Sequence, residues 1–257
     1  MNRRTLLIAG SMLTLVGLTG SPVRAAGSTF TVDGRMALNA YRGLVEEHLA
    51  GILNALKALA ATTDAQSGEW ERISPALAVL GAGLSTDAAV WYAMPDGSYR
   101  TVESGLSDQK LNDREYFPGL MAGNDVMGTL VVSKSTGHRS IIVAAPVRKA
   151  GTVIAALGVS VRARFLSELV VKRTSLPDGV IFYALDASGR TAIHEDPALM
   201  FEYPSDLGDD SLKAAVKTIL TTDEGSVEYQ FRGKARTALF GKSDVTGWHF
   251  VLAKLHN

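Results

Sequence analysis

The feature of this chain that most constrains its fold is an internal repeat. The run AVWYAMPDG at Ala89–Gly97 matches VIFYALDASG at Val180–Gly189, with Trp91 aligned to Phe182 at one constant offset. Each copy is followed by a helix candidate and by three strand candidates with short turns between them, so neighbouring strands are predicted to be antiparallel. Because chance rarely preserves element order as well as local sequence, we infer that one α/β unit occurs twice. The predicted strands are Thr129–Lys134, Ser140–Val147 and Thr152–Val161 in the first unit, and Ser226–Arg232, Ala235–Lys242 and Trp248–Lys254 in the second.

A long amphipathic helix is predicted ahead of the repeat. Between Met36 and Ala61, apolar residues recur at steps of three and four, as in a helix that buries one face. We expect this stripe to pack on the helix's own domain, and the alternative is a homodimer through this helix. A second, shorter helix is predicted to begin at Ser74-Pro75 and to run through Leu80. The stripe consists of Leu38, Tyr41, Val45, Leu49, Ile52, Leu56 and Leu59.

The first residues have the pattern of a cleaved export signal. A basic start at Arg3-Arg4 precedes an apolar run, and small residues follow near Ala25 and Ala26, where cleavage is expected. The apolar run is shorter than the ~20 residues of a membrane-spanning helix, so an uncleaved anchor is the weaker alternative. The paired arginines resemble a twin-arginine signal. The mature protein is therefore predicted to be periplasmic.

Composition and motifs exclude several functional classes. Basic and acidic residues balance at 26 each and no basic stripe carries interleaved aromatics, so a nucleic-acid partner is not expected. The chain has no cysteine, which removes thiolate catalysis and cysteine-bound metals. It contains no HExxH, GxSxG or P-loop, and its five histidines are scattered. We therefore expect neither an enzyme nor a bound metal or cofactor.

The stretch Leu111–Val147 is the strongest candidate for a binding site. It places a charged, aromatic segment with Asp113, Arg114 and Tyr116 directly before β-branched strands, as in many small-molecule pockets. A short helix capped by Asn112 is predicted here. Arg114 is the first candidate, because a guanidinium makes bidentate, charge-assisted bonds to a carboxylate. The alternative is an exposed arginine paired with a neighbouring acid.

Further candidates lie around this segment. Tyr116 offers a hydroxyl group, Ser133 and Lys134 close the following strand, and Lys134 can supply a second positive charge. His138 in the next turn could respond to pH, although a turn histidine is more often simply exposed. Trp91 and the tyrosine after it alternate across a strand, so only one of them can face the pocket.

The long helix, the two units, the DREYF run and the S-K-S-T-G hairpin together resemble the double Cache family, whose members are PAS-like extracytoplasmic sensor domains. The resemblance implies an α+β fold in which a long N-terminal helix precedes two units, each with a central antiparallel β-sheet flanked by helices. It divides the chain into an export signal at 1–26, the long helix at 30–66, a ligand-binding unit at 67–173 and a second unit at 178–257. The chain resembles the sensor module alone, without a transmembrane or output module.

The resemblance also bears on the ligand. The amino-acid-binding branch has an Arg-x-Trp-Tyr run and a later aspartate for the amino group, whereas this chain has Arg114-Glu115-Tyr116-Phe117 and Ser160 near the aspartate position. A small organic carboxylate is therefore favoured over an amino acid or amine, which stays an alternative, as does an envelope scaffold with a vestigial pocket. The second unit has Phe201-Glu202-Tyr203-Pro204 instead of the arginine run, so the ligand is expected in the first. Expected partners are a membrane receptor, kinase, cyclase or transporter.

Overall fold

The computed structural model describes residues 33–84 and 88–256. The predicted export signal at 1–26 lies outside this part of the chain. Within it, no helix combines the length and the apolar character that a membrane span requires.

The predicted long helix is present as α1, Gly34–Ala60. The carboxylate of Asp33 caps it by accepting hydrogen bonds from the amides of Arg35 and Met36. Its apolar stripe is buried against both β-sheets of its own chain, which confirms the default prediction for that stripe. The homodimer through this helix stays a prediction. The buried residues of α1 are Leu38, Tyr41, Val45, Leu49, Ile52, Leu56 and Ala60.

In the described residues the first sheet has six antiparallel strands in the order β3-β2-β1-β6-β5-β4. The helices around it are α2 (Trp70–Gly83), α3 (Phe117–Met121) and α4 (Ala163–Thr174). Consecutive pairing of the last three strands follows from their short turns, as predicted. The strands are β1 Ala88–Ala93, β2 Ser98–Thr101, β3 Gly105–Lys110, β4 Val126–Val132, β5 Arg139–Lys149 and β6 Thr152–Arg162.

The second sheet repeats this arrangement with five described strands in the order β8-β7-β11-β10-β9. Helices α5 (Pro204–Leu207) and α6 (Asp210–Thr221) cover the face turned away from α1. The α+β prediction of two similar units on one long helix is confirmed. The strands are β7 Val180–Leu185, β8 Thr191–His194, β9 Glu224–Phe231, β10 Lys234–Lys242 and β11 His249–Leu255.

The structure shifts the alignment of the repeat by one residue. Trp91 faces α3, whereas Phe182, its partner in the sequence alignment, faces α1. The residue of β7 that faces the covering helices is Tyr183. Because side chains alternate across a strand, a shift of one residue exchanges the two faces. The glycines of the two following turns, Gly97 and Gly189, fit this corrected offset, since each donates its amide to the last residue before its turn.

Two local predictions were wrong, and one strand was missed. Helix α2 begins at Trp70 rather than at Ser74-Pro75, so Pro75 lies inside it. Residues 111–116 form consecutive turns rather than a helix capped by Asn112, and α3 begins at Phe117 with Pro118 in its first turn, where a proline costs no hydrogen bond. The edge strand β3 was missed, because Gly105–Lys110 is polar and largely exposed.

The two sheets meet along the edge strand β4. Trp248 Nε1 donates a hydrogen bond to the carbonyl oxygen of Gly128 at 3.0 Å, and Arg190 Nη2 donates to that of Leu130 at 3.0 Å. Gly128 has a φ angle of +97°, and a Cβ atom there would lie 3.2 Å from both Thr246 and the Trp248 indole nitrogen. The joint therefore requires glycine at this position.

Candidate ligand-binding site

The floor of the candidate site is the face of the first sheet turned away from α1. Trp91 lies buried on this face, and its indole occupies the space that a side chain at Gly158 would need. Trp91 Nε1 donates a hydrogen bond to Ser160 Oγ at 3.2 Å. Tyr92 points to the opposite face, where its hydroxyl donates to the carbonyl oxygen of Ala65, so the predicted division between the two aromatic residues is confirmed.

The segment 111–116 lies across this floor. Its successive turns place Leu111 and Phe117 in the apolar cluster that contains Trp91, and Tyr116 packs against that cluster. Burial raises the pKa of Tyr116 above its usual value, the charge of Arg114 acting in the opposite sense. The polar members Asp113 and Arg114 lie on the outer side. The segment therefore covers the floor with apolar groups and presents its charges at the rim.

Two cations fasten this segment to the neighbouring strands. Lys134 Nζ lies 2.7 and 2.8 Å from the two carboxylate oxygens of Asp113 and 2.6 Å from the carbonyl oxygen of Lys110. These three acceptors match the three N–H donors of an ammonium group. The hydrogen bond from Lys134 lowers the pKa of Asp113. Arg114 Nη2 donates to the carbonyl oxygen of Val132 at 2.6 Å.

Hydroxyl groups collect at one end of the floor. Thr101, Ser140 and Ser160 are buried polar residues of three strands, and they line a cleft of about 310 Å³ together with the hairpin residues Ser135 and Thr136. The end of α2 forms the opposite wall. Such a mixture of a large apolar surface and a few convergent polar groups is typical of small-molecule sites.

The predicted site residues therefore divide into groups. The rim brings together Asp113, Arg114 and Lys134. Tyr116 lies beneath it and Trp91 lies on the floor. Ser133 is buried beside Ser135. Among the described residues, the exposed side chain of His138 forms no hydrogen bond with any of these groups.

Sequence reasoning missed the hydroxyls of Thr101 and Ser140, and it missed Tyr99, whose buried hydroxyl has no hydrogen-bond partner among the described residues. Their inward alternation on strands was the available signal. No cluster of three or more histidine or acidic side chains that could hold a metal ion occurs within residues 33–84 and 88–256.

Comparison with known proteins gives structural likeness without sequence likeness. No family model matches the chain, and no curated protein sequence is significantly similar to it. The solved structures that resemble it include three sensory domains. They are the ligand-binding domain of the Pseudomonas aeruginosa amino-acid chemoreceptor PctB with L-Arg, the sensory domain of the Campylobacter jejuni chemoreceptor Tlp3 with isoleucine, and the ligand-binding domain of the Pseudomonas fluorescens chemoreceptor CtaA with L-isoleucine.

The likeness extends over most of both chains in each case. The TM-scores are 0.69 for PctB, 0.65 for Tlp3 and 0.66 for CtaA, with sequence identities of 16%, 15% and 16%. Each alignment covers 86% of this chain and respectively 93%, 90% and 89% of the other. All three are sensor domains of the double Cache type. With two sheets of matching strand order on one long helix and this extent of likeness, the chain has the double Cache fold.

Proposed function

We propose that this protein is a periplasmic sensor module that binds a small organic carboxylate at the rim of its first unit, residues 67–173. The observation that carries the proposal is the state of Arg114. The residue is half-buried, and the one hydrogen bond of its guanidinium to the described residues goes to a neutral backbone carbonyl. A guanidinium has five N–H donors and prefers a carboxylate, which it can bind through two parallel bonds. The group is therefore held in place with most of its donors available.

The rest of the rim supports an acid rather than an amine as ligand. An α-ammonium group needs a carboxylate partner, and the floor instead presents Ser160, which already accepts from Trp91. Asp113 is neutralised by Lys134. The donors of Lys134 are all used in holding the segment 111–116, so we assign Lys134 to positioning this segment and Arg114 to meeting the ligand.

Another protein would detect whether the ligand is bound. A ligand bound to the free donors of Arg114 would add to the attachment of the segment 111–116 to β4, because Arg114 is bonded to Val132 of β4, and β4 is the strand that meets the second unit. A membrane receptor, kinase, cyclase or transporter that contacts the second unit, residues 178–257, could respond to that change.

Calorimetric titration of the mature protein with a panel of organic acids and amino acids tests the proposal. We expect an acid to bind, and Arg114→Ala to weaken that binding by roughly 10- to 100-fold, as for a lost hydrogen bond between charged groups. The matched control is Lys110→Met, which removes a lysine charge next to the same segment, because the side chain of Lys110 pairs with Asp96 and does not hold the segment. We expect it to change the affinity by less than about 3-fold. Equal losses in both variants would mean that Arg114 acts only through the net charge of this region.

Amino-acid binding is the second candidate function, because the structures of PctB, Tlp3 and CtaA all contain a bound amino acid. In this case Asp113 would have to exchange Lys134 for the ligand's ammonium group. The same titrations decide between the two functions: tight binding of an amino acid, lost in Asp113→Asn, would favour the second. If no compound of either class bound, the scaffold alternative would gain support.

A further inference from the structure

The second unit contains a small cavity that the proposed function does not use. It lies between the second sheet and helices α5 and α6, on the face opposite α1. Its polar lining consists of Tyr183, Thr191, His194, Tyr229 and Arg236, and its apolar lining includes the leucine side chains of Leu199 and Leu212. The cavity volume is about 30 Å³, which is room for very few atoms.

Arg236 is the unusual member of this lining. Its guanidinium carbon lies 5.0 Å from the ring centre of Phe231 and 5.9 Å from that of Tyr229. Its Nε atom is buried without a hydrogen-bond partner, and the side chain forms no ion pair with any residue that the structure describes. The neighbouring Arg232, by contrast, lies 3.3 Å from the carboxylate of Asp196. A partly buried cation without an anionic partner lowers the stability of the folded protein, and a bound anion would remove this cost.

The other polar groups of the cavity can also donate. The hydroxyls of Tyr183 and Tyr229 lie 3.2 Å apart. One of them donates to the other, so one hydroxyl hydrogen remains free for a third group. His194 Nδ1 accepts from the backbone amide of Asp196 at 2.8 Å, so the neutral ring carries its hydrogen on Nε2. Burial lowers the pKa of His194 to about 4, and the charge of Arg236 acts in the same sense.

The cavity thus combines the positive charge of Arg236 with unused hydrogen-bond donors of the tyrosine pair and His194. The acidic residues nearby are either bonded to other groups or exposed to solvent. Asp196 accepts from Arg232 and from the amide of Ala198, and Glu195 is exposed. A set of donors around a cation selects an anion. The leucine side chains beside these donors favour a ligand with a short apolar group, and the small cavity volume limits the ligand to a few heavy atoms.

We propose that the second unit binds a short-chain aliphatic monocarboxylate, of the size of acetate, through Arg236. This site is separate from the carboxylate site proposed at Arg114, and neither depends on the other. Ligand efficiency limits a four-atom ligand to a dissociation constant of roughly 0.05 mM or weaker, and we expect a value below about 5 mM.

Titration of the full mature protein with sodium acetate at constant ionic strength, followed by calorimetry and by saturation-transfer NMR of the acetate methyl group, tests this proposal. We expect Arg236→Gln to weaken acetate binding at least 10-fold. Arg232→Gln removes the same charge from the same hairpin and is the matched control, with an expected change below about 3-fold. The loss of acetate binding caused by Arg236→Gln should be the same with and without Arg114→Ala in the same protein, which separates this site from the one in the first unit.

Other anions and a milder variant complete the test. Formate and propionate should bind, butyrate more weakly, and chloride or sulfate at the same ionic strength should not displace acetate. If Arg236→Gln fails to fold, as judged by circular dichroism, Tyr229→Phe removes only a hydroxyl and should weaken binding several-fold. The absence of acetate binding up to about 20 mM, equal binding by wild type and Arg236→Gln, or equal displacement by chloride would each overturn the assignment.

Discussion

At the scale of single residues, the floor of the first unit depends on one side chain and on the absence of another. The buried indole of Trp91 occupies the space above Gly158, and its N–H group is satisfied by Ser160. A closely packed interior has little room to take up an extra methyl group. The position of the indole, and with it the shape of the floor, is therefore fixed by a glycine two residues before Ser160.

We expect Gly158→Ala to lower the free energy of unfolding by about 1–3 kcal/mol, because its Cβ would overlap Trp91. Urea unfolding followed by circular dichroism measures this change. Gly51→Ala is the matched control: Gly51 lies exposed in α1 with no atom within 4 Å of the added Cβ. There alanine should stabilise the helix by up to about 1 kcal/mol. Changes of the same sign in both variants would contradict this account of the floor.

His194 makes stability depend on pH. Burial lowers its pKa in the folded protein from 6.5 to about 4. As the pH falls below about 6.5, the unfolded chain binds a proton at this residue and the folded chain does not. The free energy of unfolding should therefore fall between pH 6.5 and 4 by up to about 3 kcal/mol from His194. Above pH 6.5 this contribution is constant.

Urea unfolding of wild type and His194→Gln at several pH values between 7 and 4.5 measures this contribution. The variant should show a shallower dependence on pH. Some dependence should remain, because burial also lowers the pKa of His48 and His249. His138→Gln is the control, since His138 lies exposed in a turn, and it should keep the wild-type slope. Identical slopes in all three proteins would refute the role of His194.

At the scale of elements, the rim was predictable because its parts are close in sequence. A loop that precedes a strand and the turn that follows that strand bring Asp113, Arg114 and Lys134 to one rim, although the pairing of Lys134 with Asp113 was not predicted. The partner of Arg114 was not predictable, because Val132 contributes a backbone carbonyl that every residue has. Arg236 was not identified from the sequence. Its strand, KARTALFGK, begins without a clean alternation of polar and apolar residues, so the face of the sheet on which its side chain lies could not be predicted.

At the scale of the whole molecule, α1 joins the two sheets through one shared hydrophobic core. Its first half packs on the second sheet, where Tyr41 lies 5.2 Å from the ring centres of both Phe182 and Phe250. Its second half belongs to the core of the first sheet. The repeat and the helical stripe made this architecture predictable. The one-residue shift in the alignment of the two units was not predictable, because more residues of the repeat match without the shift.

We expect Tyr41→Ala to destabilise both units together, although Tyr41 packs on the second sheet. The loss of this buried ring should lower the free energy of unfolding by about 3–5 kcal/mol. Transitions followed by tryptophan fluorescence and by circular dichroism should coincide. Tyr41→Phe is the control, since the buried hydroxyl has no partner among the described residues, and its removal should cost little or nothing. A separate, earlier transition of the second unit would contradict the shared core.

The joint at β4 has a further consequence for solubility. A strand at the edge of a sheet offers unpaired backbone groups to other chains, and such edges promote aggregation. The carbonyl oxygens of Gly128 and Leu130 on this edge already accept hydrogen bonds from Trp248 and Arg190 of the second unit. The second unit thus protects the first against edge-to-edge association. A fragment that contains the first unit alone would expose this strand, and it would be expected to aggregate even where its own core is complete.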